Sequence, residues 1–326
     1  MAVIQILSGF VLLFVGGEFV VRGAVAVANR FGISPLVIGL TIVGFGTSLP
    51  ELWVSLNAAL SGSPGIAVGN VVGSNMANIM LVMGSAALIC PIMVNPAAVR
   101  RDAGFMLATT VIFIGIGLTG TVSPLEGLAM VVMLLGYLGY SLWHDSRTND
   151  AAAALHREEA EELAGRPRAL WISLIELLGG FAAVGIGADL LVDGATTLAQ
   201  AAGIADEVIG LTVVAVGTSL PELATSIVAA YRGHSDVCLG NVLGSNIFNL
   251  FGIMGVTALV IPVPFPDQIV QFDLWALLFV SVLLIPFMIS GRRICRVEGG
   301  VLLALYGGYV TVQFLGIGGV VAAATG

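Results

Sequence analysis

Two carboxylates, Glu51 and Glu222, stand in the same seven-residue string, Gly-Thr-Ser-Leu-Pro-Glu-Leu, at Gly46–Leu52 and Gly217–Leu223. Thr47 and Ser48 lie four and three residues before Glu51, so on a helix their hydroxyls share its face; Thr218 and Ser219 do the same for Glu222. Pro50 and Pro221 have no N–H and clash with the preceding turn, which leaves the carbonyls of Gly46 and Gly217 without their helical donor. A second string, GNVVGSNMANIMLVMG from Gly69, returns as GNVLGSNIFNLFGIMG from Gly240. It places Ser74 and Asn78 at i,i+4, and Ser245 and Asn249 likewise. The combined inventory is hard oxygen: carboxylate, hydroxyl, amide and freed carbonyl. Cys90, Cys238 and Cys295, and His144, His156 and His234, have no metal-ligand spacing. Such a set suits Ca2+ or alkali cations over transition metals. Two bidentate carboxylates with two carbonyls already give about six ligands, within the Ca2+ range.

The two copies determine how the rest of the chain is read. Residues 39–57 and 210–228 match at twelve of nineteen positions, and the second strings at nine of sixteen. Both pairs are offset by 171 residues, from Glu51 to Glu222 and from Asn78 to Asn249. The offset extends outward to Gly16/Gly187, Glu18/Asp189, Gly23/Gly194, Gly32/Gly203, Gly84/Gly255 and Pro91/Pro262. The chain is a duplication of one half.

Of 326 residues, 58% are hydrophobic and only 10% charged, with mean hydropathy +1.04. Soluble domains carry about 25% charged residues, so the sequence predicts an all-α polytopic membrane protein in a lipid bilayer. All 12 basic residues are Arg, and the net charge is −8. Nucleic-acid binding is excluded as a function class, and the first apolar run, with no basic residue before Arg22, reads as an uncleaved span.

At about 20 apolar residues per span, ten transmembrane helices are predicted, over about 3–29, 36–60, 66–91, 103–121, 124–143, 170–199, 207–231, 237–261, 271–290 and 298–320. Residues 1–143 form a first five-helix repeat, 144–169 a cytoplasmic linker with the acidic cluster 158–162, and 170–326 a second repeat. Every Arg but Arg22 falls in an odd-numbered connection or the linker. The positive-inside rule then makes the odd connections cytoplasmic and both termini extracytoplasmic. Arg22 is expected to pair with Glu18 four residues earlier. Five spans per half is an odd number, so the second half enters the membrane in the opposite sense. The predicted architecture is two inverted repeats with broken helices at the midplane.

Glu51 and Glu222 fall near the middle of spans 2 and 7. A charge there costs about 3 kcal/mol on insertion scales. No cationic side chain lies near mid-span except Arg22, so the missing counter-charge is a bound cation. Glycines at 69, 73, 240 and 244 allow close helix packing around it. Met76, Met80, Met83 and Met254 read as packing, and Trp143 and Trp171 as interfacial anchors.

At these motifs the chain resembles the sodium/calcium exchangers of the cation/calcium exchanger superfamily, and its two string pairs resemble that family's alpha-repeats. The resemblance covers essentially the whole chain. It implies a membrane transporter, not an enzyme, exchanging Ca2+ for Na+ by alternating access in a plasma (inner) membrane of prokaryotic type, commonly at about three Na+ per Ca2+. Ca2+ and Na+ are then the transported ions. Glu51 and Glu222 would be the ligands shared by both, with the Thr47 and Thr218 carbonyls completing the Ca2+ site. Ser48, Ser219, Ser74 and Ser245 would serve flanking Na+ sites with the carbonyls of Gly44 and Ala215, and Asn78 and Asn249 would line the middle. Spans 1 and 6, with Gly16–Gly17 and Gly185–Gly187, would form a sliding gate.

Many members, notably the potassium-dependent exchangers and some microbial ones, carry Asp where this chain has Asn249, which argues against K+ as a partner. The proton-coupled branch shows Glu within its second motif, where Gly69–Asn70 is followed here by Val71, Val72 and Gly73. A Ca2+/H+ antiporter using the same two carboxylates stays open as the alternative. A cation channel and an intramembrane hydrolase are the remote ones, the latter lacking a membrane His or an HExxH string.

Overall fold

The computed structural model describes residues 1–31, 33–62, 64–96, 99–147, 169–201 and 215–325. These residues are helical apart from two short ladders and the connecting turns. The helices are α1 (Ala2–Phe31), α2 and α3 (Leu36–Thr47 and Leu49–Leu60), α4 (Pro64–Ile89), α5 (Gly104–Gly117) and α6 (Pro124–Arg147). Then come α7 (Leu170–Ala201), α8 (Ala215–Thr218), α9 (Leu220–Tyr231), α10 (Ser235–Val260), α11 (Leu274–Ile289) and α12 (Arg296–Thr325).

Among the described residues, six helices are long and apolar enough to cross a membrane, or seven if α2 and α3, bent by 44°, count as one span. The sequence predicts ten. The shortfall has local causes. The fourth predicted span is a 14-residue α5 entered through a π-turn at Val99–Ala103. The seventh begins in 202–214, outside the described residues, and continues in a 12-residue α9. The tenth lies within α12, where side chains are described only to Gln313. Gly32, Gly203 and nearly all of the predicted linker, with its acidic cluster, also lie outside the described residues.

Helices α1 and α7 pack along a glycine seam. A Cβ on Gly23 would lie 2.6 Å from the Leu177 nitrogen, and one on Gly187 2.9 Å from the Leu13 nitrogen. Backbones this close leave few side-chain knobs to interlock, as small-residue seams do in membranes.

Each half also reaches across to the other. Gly84 of α4 sits against the Gly299 carbonyl of α12, and Gly255 of α10 against the Gly127 carbonyl of α6. Strand β1 (Ile92–Met93) pairs antiparallel with β4 (Arg293–Ile294), and β2 (Thr121–Val122) with β3 (Val263–Pro264). The two ladders mark opposite ends of the bundle. At the β1–β4 end lie Arg292 and Arg293, and Arg296 donates to the Ile89 carbonyl at 3.1 Å. Residues 118–124 and 261–268, which carry the other ladder, contain no Arg. The predicted Glu18–Arg22 pair is present at 2.5 Å, and Arg232 joins it at 2.6 Å.

Candidate cation-binding site

The site begins where two helices break. Ser48 has φ −87° and ψ 6°, and Ser219 has φ −89° and ψ 5°. Both are in the sparsely allowed bridge region, one residue before a new helix starts with Pro50 or Pro221 in its first turn. Proline suits that position because its missing N–H needs no partner there. Glu51 and Glu222 therefore sit in the first turn of α3 and α9. Helix starts carry partial positive charge, which favours a carboxylate. The sequence placed both Glu mid-span; the structure adds that each lies in the first turn of a half-helix.

The two breaks meet. Ser48 Oγ donates to Glu222 Oε1 at 2.9 Å, and Ser219 Oγ approaches Glu51 Oε1 at 3.5 Å. The serine of each motif thus addresses the carboxylate of the other. Both Glu are fully buried, and among the described residues no Arg pairs with either. Their Oε2 atoms have no hydrogen-bond partner, nor do either amide atom of Asn78 or Asn249. These six orphaned atoms come from four residues related by the 171 offset. Buried polar atoms are normally satisfied, and the four oxygens of this symmetric set are hard donors of the kind a Ca2+ or alkali cation takes. Asn78 and Asn249 lie in π-turns, Asn78–Val82 and Phe248–Ile253, of the kind that often mark functional sites.

The other predicted residues surround this centre. Thr47 Oγ1 bonds the Val43 carbonyl at 3.0 Å and lies 3.2 Å from Asn241 Oδ1. Ser245 Oγ donates to the Gly44 carbonyl at 3.3 Å. A Cβ on Gly44 would meet the Ser245 nitrogen at 3.0 Å, so glycine is what lets α2 lie against α10 here. Ser74 is buried; it and the half-buried Thr218 line a cavity of about 530 Å³. Ala215 opens α8. The sequence reading missed Asn70 and Asn241. Asn70 Nδ2 donates to the Glu51 carbonyl at 3.1 Å and to Ser55 Oγ at 2.9 Å. Asn241 Nδ2 does the same for the Glu222 carbonyl and Ser226, at 3.4 and 2.9 Å. These amides fix the turn that carries each carboxylate. Their shared 171 offset was the available signal, together with Ser55/Ser226.

The family model for the sodium/calcium exchanger protein matches residues 1–143 and 172–315. The chain belongs to the sodium/calcium exchanger family. Sodium/calcium exchanger MaX1 of Methanosarcina acetivorans is 34% identical over 344 residues, covering 95% of this chain and 97% of that protein. Inner membrane protein YrbG of Escherichia coli is 33% identical, covering 95% of each. A solved structure of the sodium-calcium exchanger NCX_Mj soaked with zero Na+ and Ca2+ superposes with TM-score 0.82 at 34% identity, covering 96% of this chain and 98% of that one. The protein is therefore a multi-pass membrane antiporter of the cation/calcium exchanger family and not an enzyme.

In this exchanger the two flanks of the centre are packed differently. On one side α10 seals against α2: a Cβ on Gly240 would lie 2.4 Å from the Leu36 carbonyl, and one on Gly244 2.4 Å from the Leu40 carbonyl. On the other side the 530 Å³ cavity runs from Ser74 and Thr218 to Gly65, Pro266 and Gln268, in the connections that contain no Arg.

Proposed function

We propose that this exchanger moves Ca2+ against Na+ by alternating access around Glu51 and Glu222, and that these residues, with Thr47, Thr218, Ser48, Ser219, Ser74, Ser245, Asn78, Asn249, Gly44 and Ala215, form the ion sites. The observation that carries the reading is the symmetric set of orphaned oxygens on Glu51, Glu222, Asn78 and Asn249. With both Glu ionised the centre has formal charge −2. One Ca2+ neutralises it, and three Na+ exceed it by one charge, so exchange at that ratio moves net charge. An empty site would strand two carboxylates in a low-dielectric interior, which costs several kcal/mol per ion. The site therefore changes face loaded with one ion type or the other, and exchange is obligatory. The names of MaX1 and NCX_Mj, both sodium/calcium exchangers, favour Na+ as the counter-ion.

On this reading the chain is ten spans in two inverted repeats; what supports that architecture is its equivalent positions, Ser48/Ser219 and Asn70/Asn241, and the crossed pairs Gly84–Gly299 and Gly127–Gly255. The halves are 1–143 and 170–326, joined by 144–169. The arginine-bearing end around β1–β4 is cytoplasmic by the positive-inside rule, and the cavity faces the extracytoplasmic side. With Asn at both 78 and 249, K+ is not co-transported.

The test is 45Ca2+ uptake into proteoliposomes loaded with Na+, with K+, or with a proton gradient alone, with current recorded in parallel. Uptake that needs internal Na+ and carries current is expected. Uptake driven by protons and indifferent to Na+ would move the assignment to a Ca2+/H+ antiporter, and flux without any counter-ion to a channel.

A further inference from the structure

Asp102 and Asp273 occupy equivalent positions at the 171 offset and make the same first contact. Tyr137 donates to Asp102 Oδ1 at 2.8 Å, and Tyr309 to Asp273 Oδ1 at 2.9 Å. Beyond that the halves part. Arg101 grips both oxygens of Asp102, Nε to Oδ1 at 2.6 Å and Nη2 to Oδ2 at 3.0 Å, and Asp102 is fully buried. The residue equivalent to Arg101 is Phe272, whose ring stacks on Tyr309 instead. Asp273 has no cationic partner among the described residues. Gln313 also bonds to its Oδ1, and Gln268 in turn donates to Gln313 Oε1 at 3.1 Å. Oδ1 thus takes both donors that address the carboxylate, while Asp273 lines the cavity that ends at Ser74 and Thr218.

We propose that Asp273 is a cation-binding station in the cavity, through which Ca2+ or Na+ passes before reaching the central carboxylates from that side. It rests on the reading of Glu51 and Glu222 as the transport centre only for what the ion does next. A carboxylate held by two hydrogen bonds at one oxygen keeps the other oriented for a ligand. A cavity with low-dielectric walls focuses its field and raises the local cation concentration. Hard cations take such an oxygen and fill the remaining positions with water, for which the cavity has room. The first half cannot do this, because Arg101 satisfies its carboxylate. The exchanger therefore has a station on one flank and a neutralised ion pair on the other.

The experiment uses Tb3+ as a luminescent stand-in for Ca2+, excited through Tyr309 and Tyr306, which also line the cavity. In purified exchanger carrying Glu51→Gln and Glu222→Gln, sensitised Tb3+ luminescence should persist, and Asp273→Asn should raise its half-saturation at least tenfold. Asp273→Glu should retain it. In transport-competent protein, Asp273→Asn should raise the KM for Ca2+ several-fold from the cavity side, leaving kcat and the KM from the other side unchanged. Phe272→Arg, which installs the first half's pairing, should act in the same sense. Asn keeps an acceptor for Tyr309, so a purely structural tie would move neither readout. Luminescence unchanged by Asp273→Asn, or a KM raised equally from both sides, overturns the proposal. Loss of Na+ dependence with luminescence intact would count against the counter-ion assignment alone.

Discussion

Positions related by the duplication have the same chemistry at the centre and different surroundings at the flanks. Phe181 of α7 fills the space beside Gly46, its ring 2.3 Å from where a Cβ would be. Its first-half equivalent, Phe10 of α1, is 58% exposed. Gly240 and Gly244 are pressed onto the α2 backbone, whereas their equivalents on α4, Gly69 and Gly73, line the cavity beside Ser74 with nothing within 4 Å of an added Cβ. Related sequences in unequal surroundings are what the proposed inverted repeats would show at rest in one of two related states. The comparison separates what must be equal, the proposed ion ligands, from what must alternate, the packing that closes each flank.

The largest expected effect tests the equal part. Glu51→Gln or Glu222→Gln keeps shape and the contact from Ser219 or Ser48, but removes one of two charges. Each variant should lower Na+-dependent Ca2+ uptake at least a hundredfold, about 2.7 kcal/mol. Protein yield and thermal stability without ions should hold or rise, since a buried charge has been removed. Unequal losses, with one variant near wild type, would break the equivalence of the halves at the centre.

The next effect tests the alternating part. Gly46→Ala places a methyl into the Phe181 ring, and overpacking of this kind costs about 1–3 kcal/mol. It should slow exchange about tenfold or more by disfavouring the state in which Phe181 lies there. The double variant Gly46→Ala, Phe181→Ala should recover most of the rate. Recovery identifies the contact as the closed side of the gate. No recovery would show that the glycine serves the backbone break itself. A smaller loss is expected for Asn70→Ala or Asn241→Ala, each removing two hydrogen bonds that brace a Glu-bearing turn. The scale is about 1–3 kcal/mol, read as a raised KM with the ion dependence intact.

The sequence reveals the centre more fully than the frame around it, and the reason is locality. Thr47, Ser48, Pro50 and Glu51 act within one turn, so their types and spacing reveal a broken helix bearing a carboxylate. The duplication then doubles the signal at Thr218–Glu222. The seam between α1 and α7, the crossed pairs Gly84–Gly299 and Gly127–Gly255, and the strand pairing of Ile92 with Ile294 join residues far apart in the chain. No periodicity reports those. Asn70 and Asn241 were visible as repeated residues, yet their role depends on a neighbouring helix. Among the described residues, helix length and composition alone give fewer than ten spans where a helix is short or interrupted. Gly104–Gly117 has only 14 residues behind its π-turn. The Leu36–Leu60 span is bent by 44° at Ser48.

The smallest effect sharpens the comparison most finely. Glu18 of α1 is held by Arg22 on its own helix and by Arg232 at the end of α9, with Nε to Oε2 at 2.8 Å and Nη2 to Oε1 at 2.6 Å. The equivalents are Asp189, Asp193 and Ser61, a set with no cation. Burial holds the nearby His234 below the usual imidazole value, so at neutral pH it adds no third positive charge. Of these two ion pairs, the Arg232 bridge is the one that crosses from α1 to the other half. If α1 slides when the exchanger changes face, that tie must break. Both guanidiniums are about half exposed, and pairs of this kind are worth about 0–1 kcal/mol. Arg232→Ala should therefore shift the ratio of apparent Ca2+ affinities on the two sides by no more than about fivefold. The shift should shrink as salt rises, and combining it with Glu18→Gln should add little, because both remove one interaction. Ser61→Arg would supply the cation that the second-half set lacks for the equivalent contact in the opposite state, and should shift the ratio the other way. A shift in the same direction would mean that these charges act on stability alone and not on the choice of face.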